Sequence, residues 1–373
     1  MKDGNQKATS SQISLSPISL KASIEGPIKK DTAAYFVSGR LCNLLPVSAL
    51  AGLLSSGDRT ARYYFYDLYA KLTYQPNFRN KLQVSAYAGE DNLFFGEESA
   101  VFRGNIRQKW GNKLGALRWS HLWSNTFFST LTLSFTQFAF QTEGLSASYE
   151  QGNISEQSEV GLITGVKDLQ LKLDTQAALP RQHTLRWGFQ GIQHYFTPGL
   201  LRLREQDFIA GTVSDQLLGE AERITREYNI YLEDEFRALQ NRLFLNAGLV
   251  YSGYITEGKH LQAWQPRVSL RWMAGKTLAV KVGYGGAAQF LHLLSNSTFG
   301  LPTDVWVPAT RNVPGQYTRQ ISAGAVWQAT RSWEVNAEVY YKHTRNLITY
   351  AEGATLLTAS SNWQQSVAQN GQG

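Results

Sequence analysis

The 373-residue chain has a single cysteine, Cys42, so it cannot form a disulfide within itself. This excludes the small secreted folds that depend on disulfides. No apolar run approaches the roughly 18 residues that a membrane-spanning helix needs, which excludes a helical membrane protein. The first residues, MKDGNQKATSSQ, contain no apolar core of a signal peptide. We therefore expect either a cytosolic protein or a gene product whose start is missing.

Charge and motif content exclude further classes of protein. The net charge is +7, but no basic run is longer than the pair Lys29 and Lys30, so we expect no nucleic-acid partner. The six histidines lack the spacing of a metal site, and the sequence has no nucleophile elbow or phosphate-binding glycine loop. Glu233, Asp234 and Glu235 alternate between the two faces of a strand and cannot converge on one cation. We expect no enzyme activity, no cofactor and no metal.

Aromatic residues and alternating segments are abundant. About fourteen segments of roughly ten residues or more alternate between apolar and polar positions, and they exceed the five or six residues of a usual strand. In SWEVNAEVYYK, Trp333 and Tyr341 end an apolar face. Glu334, Glu338 and Lys342 lie on the opposite face. Such strands are typical of a transmembrane barrel, whose outer face contacts lipid and whose inner face is wet.

The connections alternate between short and long. Short polar turns are predicted at residues 75–80, 121–126, 178–183, 237–242, 272–277 and 329–332. Longer loops are predicted at residues 42–60, 90–104, 141–158, 197–219 and 290–315. Short turns at one end and long loops at the other indicate an all-β fold, a transmembrane antiparallel up-and-down β-barrel.

Seven charged residues fall on the polar faces of these strands. At the lipid midplane an Arg or Lys would cost roughly 2–4 kcal/mol, whereas in a wet lumen it costs little. We therefore expect a lumen-facing position, with a solvated sheet surface as the alternative, for Arg186, Arg267, Arg271, Lys281, Glu334, Glu338 and Lys342.

The last long loop, HLLSNSTFGLPTDVWVPATRNVPGQ, is half apolar. Its prolines restrict the backbone, which lowers the entropy cost of one fixed shape. Phe299 and Trp306 either fold the loop over the lumen as a lid or present aromatic surface to a ligand. Asp304 and Arg311 are the polar candidates for substrate contact.

Several of these stretches resemble the barrel of TonB-dependent outer-membrane receptors. GLPTDVWVP is the most specific, and QYTRQISAGAVW, WEVNAEVYYKHTRNLITYAEG and SLKASIEGPIKKDTAAYFVSGR extend the resemblance over residues 15–363. The resemblance implies energised uptake of a scarce nutrient, such as an iron chelate, cobalamin or a glycan, at the outer membrane of a Gram-negative bacterium. It also implies outer-membrane lipid, a plug domain in contact with the seven charged residues, and the TonB complex as partners.

The chain departs from the pattern of that family at both ends. It shows no signal peptide, TonB box or plug, and it ends in the polar stretch NWQQSVAQNGQG. We therefore expect residues 1–373 to be one barrel segment, about fourteen strands of the 22-stranded barrel of such transporters. Two alternatives remain open. One is a passive porin-like or secretion barrel, and the other is a soluble all-β carbohydrate-binding module that stacks sugars on Trp and Tyr.

Overall fold

The computed structural model of the chain describes residues 2–43, 59–220, 222–294, 305–352, 363–364 and 367–372. Within these residues the secondary structure is β-strand, and no helix is long and apolar enough to cross a membrane. The strands are β1 (Ser10–Ser16), β2 (Ser19–Lys29), β3 (Ala33–Asn43), β4 (Arg59–Asn77), β5 (Asn80–Glu98), β6 (Phe102–Ser124), β7 (Phe127–Glu150), β8 (Asn153–Leu179), β9 (His183–Asp207), β10 (Thr212–Glu220), β11 (Arg223–Ala238), β12 (Leu243–Thr256), β13 (Lys259–Met273), β14 (Leu278–Gln289), β15 (Leu291–Leu294), β16 (Val305–Pro308), β17 (Gln316–Gln328), β18 (Glu334–Tyr350) and β19 (Val367–Gln372).

The main sheet is an antiparallel meander. From β1 to β9 each strand pairs with the next one in the chain. The order continues through β11 to β14 and then through β17 to β19. β9 changes partner along its length, since residues 199–207 pair with β10 and residues 183–196 with β11. The up-and-down topology predicted from the alternating segments is confirmed.

One face of the sheet is apolar and open. Outward leucines on neighbouring strands lie side by side, as Leu133 on β7 does with Leu117 on β6 and Leu171 on β8. Between 42% and 47% of each of these three residues is exposed. Aromatic side chains such as Trp119 and Tyr66 lie near the two ends of this belt. An exposed apolar band between aromatic ends is the outer surface of a transmembrane barrel.

The two ends of the sheet differ in the length of their hairpins. At one end, here called the turn end, strands reverse at the six predicted short turns; Pro180, Arg181 and Gln182 join β8 to β9, for example. At the other end, here called the arm end, β5 to β10 run on as long paired arms. The arm between β7 and β8 reverses at Gln151 and Gly152, which both have positive φ as a two-residue hairpin turn requires.

Two sequence predictions need correction. Residues 90–104, 141–158 and 197–219 were expected as loops, but they are mostly strand within the arms. Polar side chains on both faces hid the strand pattern there, because an arm outside the membrane has no lipid-facing side. The described residues form 19 strands, more than the expected fourteen or so, because short strands such as β10 within the arms were not counted.

Candidate functional site

The seven charged residues predicted on the polar faces lie on one face of the sheet. Antiparallel partners share a face, and the ladders connect these residues step by step. Gly248 on β12 pairs with Glu233 on one side and with Arg267 on the other. Arg271 pairs with Lys281, and Gly324 on β17 links Lys281 to Glu338. Glu233 in turn pairs with Arg186, and Gln320 and Gln328 pair with Lys342 and Glu334.

Arg186 is held by two carboxylates of the acidic run on β11. Its Nη1 donates to Glu233 Oε1 at 3.0 Å and its Nη2 donates to Glu235 Oε2 at 3.2 Å. Asp234, between them, points to the opposite face and binds His183 Nδ1 at 2.7 Å. The three acids therefore do not converge, and two of them fix one arginine of the polar face.

Arg271 and Lys281 line a shallow recess on this polar face. The recess has a volume of about 360 Å³, and Glu235, Glu338 and Asn246 also line it. The guanidinium of Arg271 lies 4.2 Å from the centroid of the Phe244 ring, which keeps its charge beside the recess. Side chains of both signs around one cavity can form hydrogen bonds and ion pairs with a polar partner.

The segment between β14 and β17 leaves the main sheet and crosses the polar face. We call its described residues, 290–294 and 305–315, the insert. Its strands β15 and β16 form a separate two-stranded ladder in which Trp306 pairs with Leu293. β16 lies against β8 and β9, although β14 is four ladder steps away from β9, roughly 19 Å along a sheet. The insert therefore extends across the polar face from β14 to β8 and β9.

Two apolar clusters hold the insert. Leu294, Val305, Val307 and Val313 pack with Trp363 in the first cluster. In the second, Phe290 and Ala309 pack against Tyr254 and Ala263 of the main sheet, which is called the wall from here on. Val307, Ala309 and Val313 have no exposed surface. The insert thus has buried apolar residues of its own, as a protein core does and an ordinary solvated loop does not.

A carboxylate ties the insert to a neighbouring hairpin. Glu257, in the turn between β12 and β13, accepts a hydrogen bond from the backbone N–H of Arg311 at 3.1 Å. Its other oxygen forms an ion pair with Arg223 on β11. The Glu257 side chain therefore connects the insert to β11 and to the hairpin formed by β12 and β13.

The structure describes two of the four residues predicted for substrate contact. Trp306 is half-buried on β16, and the Arg311 side chain is exposed while its backbone binds Glu257. Phe299 and Asp304 lie outside the described residues.

A buried polar cluster beneath the insert was not predicted. His194 on β9 is 2% exposed, and its Nδ1 lies 2.7 Å from Asp168 Oδ1 on β8. Its Nε2 lies 3.7 Å from Glu227 Oε2 on β11. Nearby, the Tyr254 hydroxyl donates to Thr225 Oγ1 at 2.9 Å. These residues sit at inward positions of alternating segments, but only the strand register could have shown that they meet. Among the described residues, no group of three or more His, Cys, Asp or Glu could hold a metal ion.

His292 is buried within the insert itself. It pairs with Val307 across the β15–β16 ladder and is 1% exposed. Burial lowers the pKa of His292 from 6.5 to about 4, against a weaker opposing effect of the Pro314 backbone. The imidazole is therefore neutral near pH 7.

Comparison with known proteins identifies the architecture. The family described as TonB dependent receptor-like, beta-barrel matches residues 51–372. The chain belongs to the TonB-dependent receptor β-barrel family. The resemblance noted in the sequence is confirmed, and so are the all-β class and the transmembrane up-and-down barrel. Members of this family are transport receptors of Gram-negative outer membranes that bind small-molecule ligands and interact with a plug and with TonB.

Solved structures of TonB-dependent receptors have the same fold. The copper transporter OprC matches with a TM-score of 0.64 and 11% identity, over 99% of this chain and 57% of its own. The alcaligin outer-membrane receptor FauA from Bordetella pertussis matches with a TM-score of 0.55 and 13% identity, over 95% and 55%. The RagAB peptide transporter matches with a TM-score of 0.57 and 9% identity, over 89% and 45%.

These structures define the fold and not the substrate. The chain spans just over half the length of the first two. Comparison with curated protein sequences gave no match.

Proposed function

We propose that this barrel serves energised, TonB-dependent uptake of a scarce nutrient across the outer membrane of a Gram-negative bacterium. The observation that carries the proposal is the insert, which leaves the wall at β14 and packs against β8 and β9 over the polar face. A passive channel needs an open lumen, whereas a receptor that binds its ligand before transport needs a structured binding surface at the entrance to the lumen. The barrel family supports the same function.

In this proposal the two parts of the polar face have different roles. The exposed side of the insert, with Trp306 and Arg311 together with Phe299 and Asp304, contacts the substrate. A planar chelate, a corrin or a sugar can stack on a tryptophan, and a carboxylate or phosphate can pair with an arginine. The iron chelates, cobalamin and glycans expected from the sequence all offer such groups.

Deeper in the lumen, the charged side chains contact a plug domain. Arg271 and Lys281 are neighbouring cations on a wet face, and like charges directly opposite each other destabilise a sheet unless an anion lies between them. A plug carboxylate in the recess would supply that anion. The same contact surface includes Arg186, Arg267, Glu334, Glu338 and Lys342.

The test is uptake by the host with and without the gene. Wild-type and deletion strains are given labelled ferric chelates, cobalamin, copper, peptides and glycans, with and without a protonophore that removes the energy source. We expect the deletion to abolish uptake of one compound and the protonophore to abolish the same uptake in the wild type. Uptake that persists with the protonophore would establish a passive barrel instead.

The substrate role of the insert is tested in the complemented strain. Trp306→Ala should reduce uptake of the identified compound by raising its apparent KM. Trp333→Ala is the matched control, since Trp333 is 70% exposed at the opposite, turn end of the sheet. Equal uptake by the two variants would remove Trp306 from the substrate site.

A further inference from the structure

The backbone ladder between β13 and β14 ends just before the insert begins. Its last pair is Arg267 with Gly285, although β14 stays paired with β17 beyond this point. A side chain then takes the place of a backbone partner, because Gln265 Oε1 accepts a hydrogen bond from the Ala288 N–H at 3.1 Å. Ala288 precedes Phe290, the first residue of the insert, by two positions. Gln265 therefore contacts the backbone at the root of the insert.

Gln265 is itself held by a row of polar side chains. Its Nε2 donates to Ser252 Oγ on β12 at 2.5 Å, and the Ser252 hydroxyl donates in turn to Asn229 Oδ1 on β11. Asn229 Nδ2 donates to Glu227 Oε1 of the same strand at 2.9 Å. Gln265 and Ser252 are 6% and 2% exposed, so water competes little with their hydrogen bonds.

The row continues to the strands on which the insert docks. Glu227 Oε2 lies 3.7 Å from His194 Nε2, and His194 Nδ1 lies 2.7 Å from Asp168 Oδ1. His194 is on β9 and Asp168 on β8, the two strands that contact β16. Polar side chains thus connect the root of the insert at β14 with its docking site. We call these six side chains the polar row: Asp168, His194, Glu227, Asn229, Ser252 and Gln265.

The polar row adjoins the second apolar cluster. Ser252 is two residues from Tyr254, and Gln265 is two residues from Ala263, so each shares the face of its neighbour and lies one row nearer the turn end. Burial of apolar surface is non-directional, whereas a hydrogen bond prefers one angle. The apolar cluster therefore holds the insert down, and the polar row can fix the direction in which it leaves the wall.

We propose that Gln265 is a positioning residue for the insert, and that the contact of His194 with Asp168 holds Gln265 in place through the polar row. A change at β8 or β9 then reaches the Ala288 N–H, which lies four ladder steps from β9, roughly 19 Å along the sheet. If each hydrogen bond only satisfied its own buried polar atoms, such a change would stay local. The exposed side of the insert turns with its root, and its contact with the substrate is where this rests on the proposed function.

The first test measures hydrogen exchange at the Ala288 amide in the purified full chain in detergent. Gln265→Leu removes the acceptor of this amide and should raise its exchange about fivefold, the equivalent of one hydrogen bond. His194→Gln alters the far end of the polar row and should raise the same exchange roughly threefold, as coupling through a side-chain network does. Unchanged exchange in either variant would overturn the proposal.

The double variant separates transmission from two independent effects. If the polar row transmits the change, His194→Gln adds nothing once Gln265→Leu is present, and the double variant exchanges at the rate of Gln265→Leu alone. Effects that multiply would show that the two residues act independently, and the proposal would be wrong.

Gln170→Leu is the matched control. Gln170 lies two residues from Asp168 on the same face of β8, but it accepts a hydrogen bond from Gln190 at 2.9 Å, on a branch beside the polar row. This variant should leave exchange at Ala288 unchanged. A rise equal to that of His194→Gln would indicate a general loosening of the wall and would also count against the proposal.

Uptake by the complemented strain connects the position of the insert with the substrate. Gln265→Leu should raise the apparent KM for the identified compound about fivefold and leave the maximal rate unchanged, because it displaces a contact surface. Trp306→Ala should raise the KM without changing exchange at Ala288, which distinguishes substrate contact from positioning. Increased exchange in Gln265→Leu with an unchanged KM would exclude a positioning role in uptake. The exchange experiments contain no substrate, so they decide the role of the polar row even where the uptake proposal fails.

Heat-modifiable mobility on gels checks that each variant is folded. If His194→Gln is not, Asp168→Asn takes its place, since it keeps the shape of the side chain and removes the charge that His194 contacts. The same threefold rise at Ala288 is expected. If Gln265→Leu is not folded, Gln265→Met provides an unbranched apolar side chain of similar length.

Discussion

The rings of Tyr254 and Phe290 stack at a centroid distance of 5.0 Å and an interplanar angle of 13°. Tyr254 belongs to the wall strand β12 and Phe290 begins the insert, so this pair is a direct contact between the two. Both side chains are fully or almost fully buried. The position of the insert therefore depends on a contact that can be removed by one substitution.

Phe290→Ala is expected to release the insert from the wall. Truncating a buried phenylalanine costs about 3–5 kcal/mol, and the lost ring leaves Tyr254 with an open cavity. Hydrogen exchange of residues 305–318 should rise strongly, while exchange in β7 and β8 stays unchanged. Phe208→Ala, at a position 46% exposed in the turn between β9 and β10, is the control. Unchanged exchange in the Phe290 variant would show that the first apolar cluster suffices to hold the insert.

Glu257→Ala is expected to loosen the insert at Arg311. The carboxylate is about one-third exposed, so losing its bond to the Arg311 backbone costs only about 1 kcal/mol. Trypsin should then cleave after Arg311 roughly fivefold faster at pH 8. Glu97→Ala removes an exposed acid paired with Arg59 at 3.4 Å and should leave this cleavage rate unchanged. An equal rate in the Glu257 variant would refute the connecting role of this side chain.

Acidification is expected to open the insert through His292. The pKa of His292 is about 4 in the closed insert and 6.5 in an open one, so only the open form takes up a proton between these values. The closed form is fully favoured above pH 6.5, and about 3 kcal/mol of this preference is lost as the pH falls to 4. Hydrogen exchange of the insert, corrected for the intrinsic pH dependence, should rise between pH 6.5 and 4.5. His292→Leu should abolish this rise, and a rise that persists in that variant would exclude His292 as its cause.

Gly188→Ala is expected to destabilise the barrel wall. A Cβ at this position would overlap the Leu173 carbonyl oxygen and lie 2.5 Å from Cε1 of Tyr231, whose hydroxyl donates to Asp174 at 2.6 Å. Forcing extra volume into a packed site costs about 1–3 kcal/mol, which should lower the Tm. Gly115→Ala is the matched control, because a Cβ at Gly115 meets nothing within 4 Å. Equal melting temperatures for both variants would mean that the wall accommodates the added Cβ without strain.

The alternation of side chains was sufficient to predict the fold and the faces. Arg267, Lys281 and Glu338 share a face because each lies on the polar side of its own strand, and a pairing that keeps the apolar sides together also keeps these polar sides together. The arms were missed because their strands do not face lipid, so their residues need not alternate between apolar and polar. Gln151 and Gly152 are a local signal of the hairpin turn between β7 and β8, but the surrounding polar residues resemble a loop.

The contacts of the insert, and those of the polar residues beneath it, could not be predicted in the same way. His194 meets Asp168 only because β8 and β9 pair in one register, and a shift of one residue would place the two side chains on opposite faces of the sheet. Phe290 follows β14 and Tyr254 lies on β12, and no periodicity of the sequence brings these two residues together. The composition of the insert indicated that its apolar residues would pack, but not which strands of the wall they would contact.

The neighbour-to-neighbour pairing of the main sheet also has a consequence for the order of folding. Most ladders join strands that are adjacent in the chain, so hairpins can form and add to one another with little loop-closure entropy. The contact of β16 with β8 and β9 differs, because these elements are far apart in the chain. We therefore expect the insert to dock after the wall has assembled, so its protection from hydrogen exchange should be the last to develop during refolding.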